Sequence, residues 1–228
     1  MHGLNFRITL KIILLIFVVY SLVLIPPGLV FKYVIFPLFS KNICSFFLGV
    51  VLFLGDFWVL LITAITLPGI CWRILKLRYS GFHPLDLSNK DVCHWLLTLV
   101  LYLPAAVILD FFHFYPLKTF HIRLFGGKIG ENVVLGGLVL DPSLLYIGDS
   151  SVIGGFSTIQ GHSVERGKIF FGKVTIGKDC GVGIRATILP GSILEDGSLL
   201  GAQSLLLKNS KIPINGTFGG VPARNLHK

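Results

Sequence analysis

Two hydrophobic patterns divide the chain. In the first half the apolar residues form long blocks. Ile12 to Phe31 carries no charge and is interrupted only by Pro26-Pro27-Gly28. Asn42 to Trp72 carries one charge, Asp56. Val92 to Leu109 carries none and runs on into Phe111-Phe112-His113-Phe114-Tyr115. A membrane-spanning helix needs about 20 mostly apolar residues, so each block is long enough or nearly so. Arg7 and Lys11 precede the first block as charges precede the core of a secretory signal. No small-residue cleavage site follows and two more apolar blocks do, so the segment reads as retained.

From Ile129 the period becomes six. Successive hexads begin at Ile129, Leu135, Asp141, Ile147, Ile153 and Ile159, with small or apolar residues four later at Val133, Val139, Leu145, Ser151, Ser157 and Ser163. The phase breaks over residues 165–169 and resumes at Phe170, Ile176, Val182, Ile188, Leu194, Leu200 and Leu206. A fixed short period marks a solenoid, and three hexads make one coil of about 18 residues. The aliphatic at position one points into a narrow core and stacks on its copy one coil away. Position five is small because it also points inward, close to a corner. Gly, Asn and Asp supply the corner backbone angles. Each coil buries its core only against its neighbours. The pattern predicts a membrane α-helical region over 1–119, and over 120–228 an all-β parallel β-helix of about four coils. Asp141-Pro142 is one poor hexad in it.

Composition removes several classes of function. Of the 228 residues 53% are hydrophobic and 14% charged, whereas a soluble domain carries about 25% charged residues. A wholly soluble globule and a disordered chain are both excluded. The net charge of +9 points toward nucleic acid only until it is divided. Residues 1–119 hold nine Lys and Arg against four Asp and Glu, and residues 120–228 hold eleven against seven, with no block of five or six. No nucleic-acid partner is expected.

The basic residues read instead as orientation signals. Arg7 and Lys11, and then Arg73, Lys76, Arg78 and Lys90, place the start of the chain and residues 73–91 in the cytoplasm, with two crossings between them. The third block decides the rest. If it spans, residues 120–228 lie outside; if it is re-entrant or interfacial, they stay inside. Pro104 near its centre, with Trp95, Tyr102, His113 and Tyr115 along it, allows a shallow or bent helix. Asp56 costs at least about 2.5 kcal/mol near a bilayer centre. It reads either as a polar relay or as a protonated or hydrogen-bonded helix contact. Cys44, Cys71, Cys93 and Cys180 have no C-x-x-C spacing and read as free thiols in a reducing compartment.

The repeats, closed by Gly219-Gly220-Val221-Pro222-Ala223-Arg224 with its G-x-P-A-[KR] pattern, resemble the hexapeptide-repeat proteins over about residues 124–224. The resemblance implies a left-handed coil, an exception to the right-handed crossover rule. It also implies acetyl-CoA or acyl-CoA as co-substrate, a homotrimer, and active sites between adjacent coils. A closer likeness is to the membrane-linked C-terminal β-helix units of ε-poly-lysine synthetase and related peptide synthetases. It rests on Tyr146-Ile147-Gly148-Asp149, Gln160-Gly161-His162-Ser163-Val164-Glu165, Ile188-Leu189-Pro190-Gly191-Ser192 and Gly201-Ala202-Gln203-Ser204-Leu205. Those enzymes carry three tandem units where this chain has one, which implies a trimer of separate chains, a bacterial cytoplasmic membrane, and a carrier-bound phosphopantetheine thioester as an alternative donor.

Acyl transfer from a thioester needs a base for the accepting hydroxyl or amine and donors for the oxyanion. His162 is the only histidine within the repeats, at a corner beside the insertion, and is the expected general base. Glu165 is expected to orient it or to bind an acceptor amine. Gly183 is a candidate oxyanion donor, and Lys208, Lys211 and Arg224 are candidate contacts for CoA phosphates. His113 and His121 read as interfacial or satisfied. No metal is expected: the γ-type carbonic anhydrases, which share this coil, hold zinc with three histidines. Two other readings remain, an amide-forming condensation unit and a non-catalytic scaffold.

Overall fold

The computed structural model describes residues 6–226, and the side chains of Arg7 and Lys11 lie outside its described part. Helix α1 (Phe6–Val30) continues through a π turn and a 3-10 turn to Ser40, and α2 covers Ile43–Leu75. Asn42 starts α2 by accepting the Ser45 N–H on its side chain at 2.8 Å. Helix α3 is Lys90–Phe111 and α4 is Tyr115–Leu124. Ile13–Ser40, Ile43–Leu75 and Lys90–Phe111 are each long and apolar enough to cross a membrane. Most apolar side chains of α1 and α2 are exposed, as lipid-facing groups must be. Asp56 lines an apolar cavity between these helices, opposite Pro27 and Gly28.

Strand β1 (Gly81–Pro84) lies between α2 and α3. The coils follow. The first is β2–β4 (Lys128–Ile129, Val134–Leu135, Leu138–Val139) and the second β5–β7 (Leu145–Ile147, Val152–Ile153, Thr158–Ile159). A hairpin, β8 (His162–Glu165) and β9 (Lys168–Phe171), interrupts them. The third coil is β10–β12 (Val174–Ile176, Gly181–Val182, Thr187–Ile188) and the fourth β13–β15 (Ile193–Leu194, Leu199–Leu200, Leu205–Leu206). Strands β16 (Lys211–Ile212) and β17 (Thr217–Gly219) begin a fifth, and β18 (Arg224–Asn225) folds back antiparallel on β17. The expected architecture of apolar helices followed by a β-helix of about four coils is borne out.

The three faces are parallel ladders whose inward residues form three stacks. One runs Ile129, Ile147, Ile176, Leu194, Ile212 and the second Leu135, Ile153, Val182, Leu200, Phe218. The third runs Val139, Ile159, Ile188, Leu206. Ser151, Ser157, Ser192, Ser198, Ser204, Cys180 and Ala186 fill the inner corners and are buried. Ser151 Oγ donates to the Gly177 carbonyl at 2.8 Å, so a small polar residue fits there without an orphaned hydroxyl. Gly148 is required by close approach: a Cβ there would stand 2.7 Å from the Gly177 carbonyl carbon.

Two hexad assignments change. Asp141 does not occupy an inward position; Val139 does, pairing with Ile159, and the lengthened next corner takes Asp141 out of the stack. Phe170 and Ser163 are not coil positions but opposite partners in the hairpin. Partner spacing is 18 residues for Ile188 and Leu206 but 29 for Ile159 and Ile188. The insertion is therefore longer than the five residues expected. The reason is that β8 and β9 alternate with a strand period that imitates the coil pattern locally.

Helix α3 differs from α1 and α2. Val92, Trp95, Thr98, Leu101, Tyr102, Ala105, Ala106 and Leu109 are buried along its length. With Ile122 and Phe125 it covers the open end of the first coil at Ile129, Leu135 and Val139. Strand β1 adds to the hairpin, pairing Phe82 with Phe170 and His83 with Ile169. In α4, His121 stacks on Tyr102 at 4.9 Å and bonds its carbonyl through Nε2 at 3.0 Å.

Ile176→Ala removes a fully buried stacking residue and should cost about 2–5 kcal/mol, read as a lowered thermal midpoint. Burial pushes the His121 imidazole below its ordinary pKa, so the folded protein holds it neutral. Unfolded histidine protonates near pH ~6.5, so the native state binds fewer protons there and stability should fall as pH drops below that value. His121→Phe should flatten this acid limb in thermal midpoints measured from about pH 8 to about pH 5.

Candidate active site

The site forms where the first coil leaves its third face early. After Val139 the chain makes a turn at Pro142–Leu144, and Asp141 is drawn into the corner, where it is buried. One coil below, His162 opens the hairpin. Its Nδ1–H donates to Asp141 Oδ2 at 2.6 Å. A buried carboxyl group is tolerable only when its oxygens are hydrogen-bonded, and here they are. The Gly161 N–H donates to Oδ2 at 2.8 Å and Trp95 Nε1–H to Oδ1 at 3.1 Å, with the Tyr79 hydroxyl 3.5 Å from Oδ1. Burial and the adjacent Asp141 push the Tyr79 phenol well above its ordinary range, so it keeps its proton as a donor. Gly161 is required: a Cβ there would stand 2.8 Å from Asp141 Cβ and 2.9 Å from Leu144 Cβ.

The geometry fixes the imidazole. In the neutral imidazole with Nδ1–H on Asp141, the lone pair is on Nε2. It has no protein partner among the described residues, and the His162 side chain is 18% exposed. Trp95 lies against the ring with centroids 4.8 Å apart. Trp95 is positioned by α3, whose first turn is capped by Asn89 accepting the Asp91 N–H at 2.9 Å. Tyr79, Val92, Trp95, Ile169 and Phe171 form one apolar cluster behind the dyad. An apolar cavity of about 280 Å³ between Leu85, Leu87, Val92, Trp95, Leu96 and Val164 adjoins it.

Of the residues singled out from sequence, the structure brings His162 to this corner and redistributes the others. Glu165 does not orient the imidazole; it stands three residues along β8 and pairs with Lys208. Asp141 takes the orienting position. Gly183 N–H donates to the Leu200 carbonyl at 2.7 Å within the ladder, so it is no free oxyanion donor. Lys211 pairs with Glu195 at 2.5 Å on the surface. Arg224 is exposed in β18. Sequence reasoning missed Asp141, Trp95 and Tyr79. A usable signal was present for Asp141 alone: a carboxylate at a repeat position that requires an aliphatic.

Comparison with known proteins adds the family. WcaF of Escherichia coli K12, named for acetyl transfer in colanic acid biosynthesis, is 30% identical over 135 residues, covering 48% of this chain and 73% of WcaF. The chain belongs to the hexapeptide-repeat acyltransferase superfamily. Its stacked parallel ladders fit the β-helix expected from sequence. YvoF of Bacillus subtilis 168, also named for acetyl transfer, is 32% identical over 104 residues, 44% of this chain and 59% of YvoF. The δ-poly-L-ornithine synthetase of Acinetobacter baumannii AB307-0294 is 29% identical over 109 residues, 47% of this chain but 8% of that enzyme. The similarity to peptide-synthetase units expected from sequence is thus present. The chain spans less than two thirds of the length of these last two relatives. No protein-family model matches the chain.

Asp141→Asn preserves volume but offers an amide to a donor-only surround. It should lower any turnover that uses His162 as base by about 10²-fold or more, measured as kcat. The thermal midpoint should fall as well, because the buried amide sets a donor against the donors that now bond Asp141, so kcat is compared at a temperature where both proteins are folded.

Proposed function

We propose that this chain is a membrane-bound acyltransferase. It moves an acyl group from a CoA or carrier thioester to a hydroxyl or amine. The observation that carries the reading is the Asp141–His162 pair with Nε2 free, at the corner where the coil opens into a hairpin. His162 Nε2 would take the proton from the acceptor hydroxyl or amine as that heteroatom forms its bond to the thioester carbonyl carbon. The imidazolium, held by Asp141, would then return the proton to the departing sulfur as the C–S bond breaks, giving ester or amide and free thiol. The thioester supplies an activated carbonyl and a good leaving group. Arg224, with no acidic partner among the described residues, and Lys208 and Lys211, whose exposed pairs are weak, are the cations proposed for the CoA phosphates. Glu165 keeps a role only toward an acceptor amine.

Two further features complete the proposal. The first is a homotrimer of β-helices. An exposed apolar column on the second face, with Val134, Val152 and Leu199 each about half exposed, supports it. The second is a coil on the cytoplasmic side, where CoA is available. Strand β1 lies in the 73–91 loop and pairs with β9, so loop and coil share one side. Both ends of α3 also reach the first coil: Trp95 bonds Asp141, and Asp110 pairs with Lys118, which donates to the Gly137 carbonyl. A helix crossing a hydrocarbon core of about 30 Å would bring only one end to a domain outside it. The boundary drawn at residue 119 is proposed as functional rather than as a break in packing.

The ornithine-polymer relative favours a second reading, amide formation from a carrier-bound thioester. Purified protein should release thiol from acetyl-CoA or long-chain acyl-CoA with a hydroxyl or amine acceptor, and His162→Ala should lower the rate by about 10²-fold or more. Release only from a phosphopantetheine carrier would favour the second reading. No thiol release from the natural chain, with full function of His162→Ala in a complementation test, would favour a scaffold. Protease should reach residues 124–228 in inverted vesicles and not in intact spheroplasts.

A further inference from the structure

A cavity of about 660 Å³ lies at the end of α2, between the membrane helices and the first coil. Its charge is one-sided. Arg73, Lys76, Arg78 and Lys128 line it, against the single carboxylate of Asp91. Asp91 stands 3.6 Å from His83. Arg73 is fixed in place, donating to the Leu124 and Arg123 carbonyls at 2.9 Å each. Lys76, Arg78 and Lys128 have no acidic partner among the described residues. The orientation rule accounts for basic residues following α2, but not for Lys128, which arrives from the first strand of the coil fifty residues later. Four cations gathered round a single carboxylate repel one another, and an anion with several oxygens relieves that repulsion while accepting charge-assisted bonds. Basic pockets at the cytoplasmic edge of membrane helices suit phosphorylated headgroups for this reason.

The cavity shares walls with the surroundings of the dyad. Tyr79 and Leu144 form part of its wall. Tyr79 points its hydroxyl at Asp141, and Leu144 packs on Gly161, the residue before His162. One layer of side chains separates the cations from the imidazole.

We propose that this cavity binds a phosphate or diphosphate group carried by the acyl acceptor, so that the acceptor is a phosphorylated molecule held by its anionic end beside His162. The inference rests on the acyl-transfer reading for the word acceptor, but its test needs no acyl donor. The full-length protein would be placed in phosphatidylcholine nanodiscs and titrated with inorganic pyrophosphate, following the thermal midpoint. In a parallel arm it would be placed in mixed nanodiscs, and enrichment of phosphatidic acid around it measured by mass spectrometry. Binding in either arm is expected, and it should weaken with salt. Pyrophosphate alone would assign a soluble phosphate ester, and phosphatidic acid alone a lipid. The Lys76→Gln/Arg78→Gln/Lys128→Gln variant should bind about tenfold more weakly or worse. If that variant does not fold, Lys128→Gln alone should still weaken binding measurably. Absence of binding in both arms, or binding unchanged by these substitutions, would overturn the site. His162→Asn should bind as the natural chain does while losing transfer, so failure of the acyl-transfer reading shows separately.

Discussion

A β-helix is closed on three sides and open at its ends, where its apolar stack and its unpaired backbone groups would face water. In this protein the end nearest the membrane half is closed by Leu101, Tyr102 and Ala106 of α3 with Ile122 of α4 and Phe125 just after it, packed on Ile129, Leu135 and Val139. That closure fixes the positions of the remaining parts. It lays α3 across the coil, delivers Trp95 to one corner and Asp110 to another, and draws the α2–α3 loop close enough for β1 to extend the hairpin. The Asp141–His162 pair is assembled at the seam this cap creates, where Asp141 from the coil meets Trp95 and Tyr79 from the helical half.

The cap is held at both ends of α3 by buried polar contacts, and these make its placement specific. An apolar interface alone tolerates sliding, because its energy depends on area more than on register. Trp95 Nε1–H to Asp141 and Lys118 to Gly137 O each demand one register. Burial pushes the Lys118 ammonium below its ordinary pKa, and its pairing with Asp110 works against that shift. Removing one partner from such a contact leaves a desolvated group with nothing to bond, which costs more than the contact contributes. The same contact that registers α3 also holds the carboxyl group that orients His162.

Much of this was legible in the sequence. Ile176, Val182, Ile188, Leu194, Leu200 and Leu206 occupy inward positions at the spacing read from the hexads, because a three-sided coil repeats one local geometry. His162 was visible as the histidine beside the break. Asp141 was visible only as a fault in the repeat, since its meaning depends on a lengthened corner and on Trp95 arriving from 46 residues upstream. Glu165 was the sequence neighbour of His162 and therefore the natural partner to expect. A strand, however, carries residues i and i+3 to opposite faces about 10 Å apart, and Glu165 meets Lys208 instead. Local repetition is readable in one dimension, while a site between two differently built halves is not.

The hairpin shows why the two halves belong to one chain. Two strands alone are marginal in water, and three with a covered face are the smallest stable arrangement. Strands β8 and β9 obtain their third strand from β1 and their covered face from Tyr79, Val92 and Trp95, all in the segment that follows α2. Without that segment His162 would sit on a two-stranded excursion with Asp141 open to water on the side now closed by Trp95. The coil thus contributes the Asp141–His162 pair, and the helical half contributes the dry, fixed surroundings in which the pair keeps its geometry. The basic cavity at the end of α2 and the carboxyl group that holds His162 share one residue, Tyr79, which lines the first and points its hydroxyl at the second.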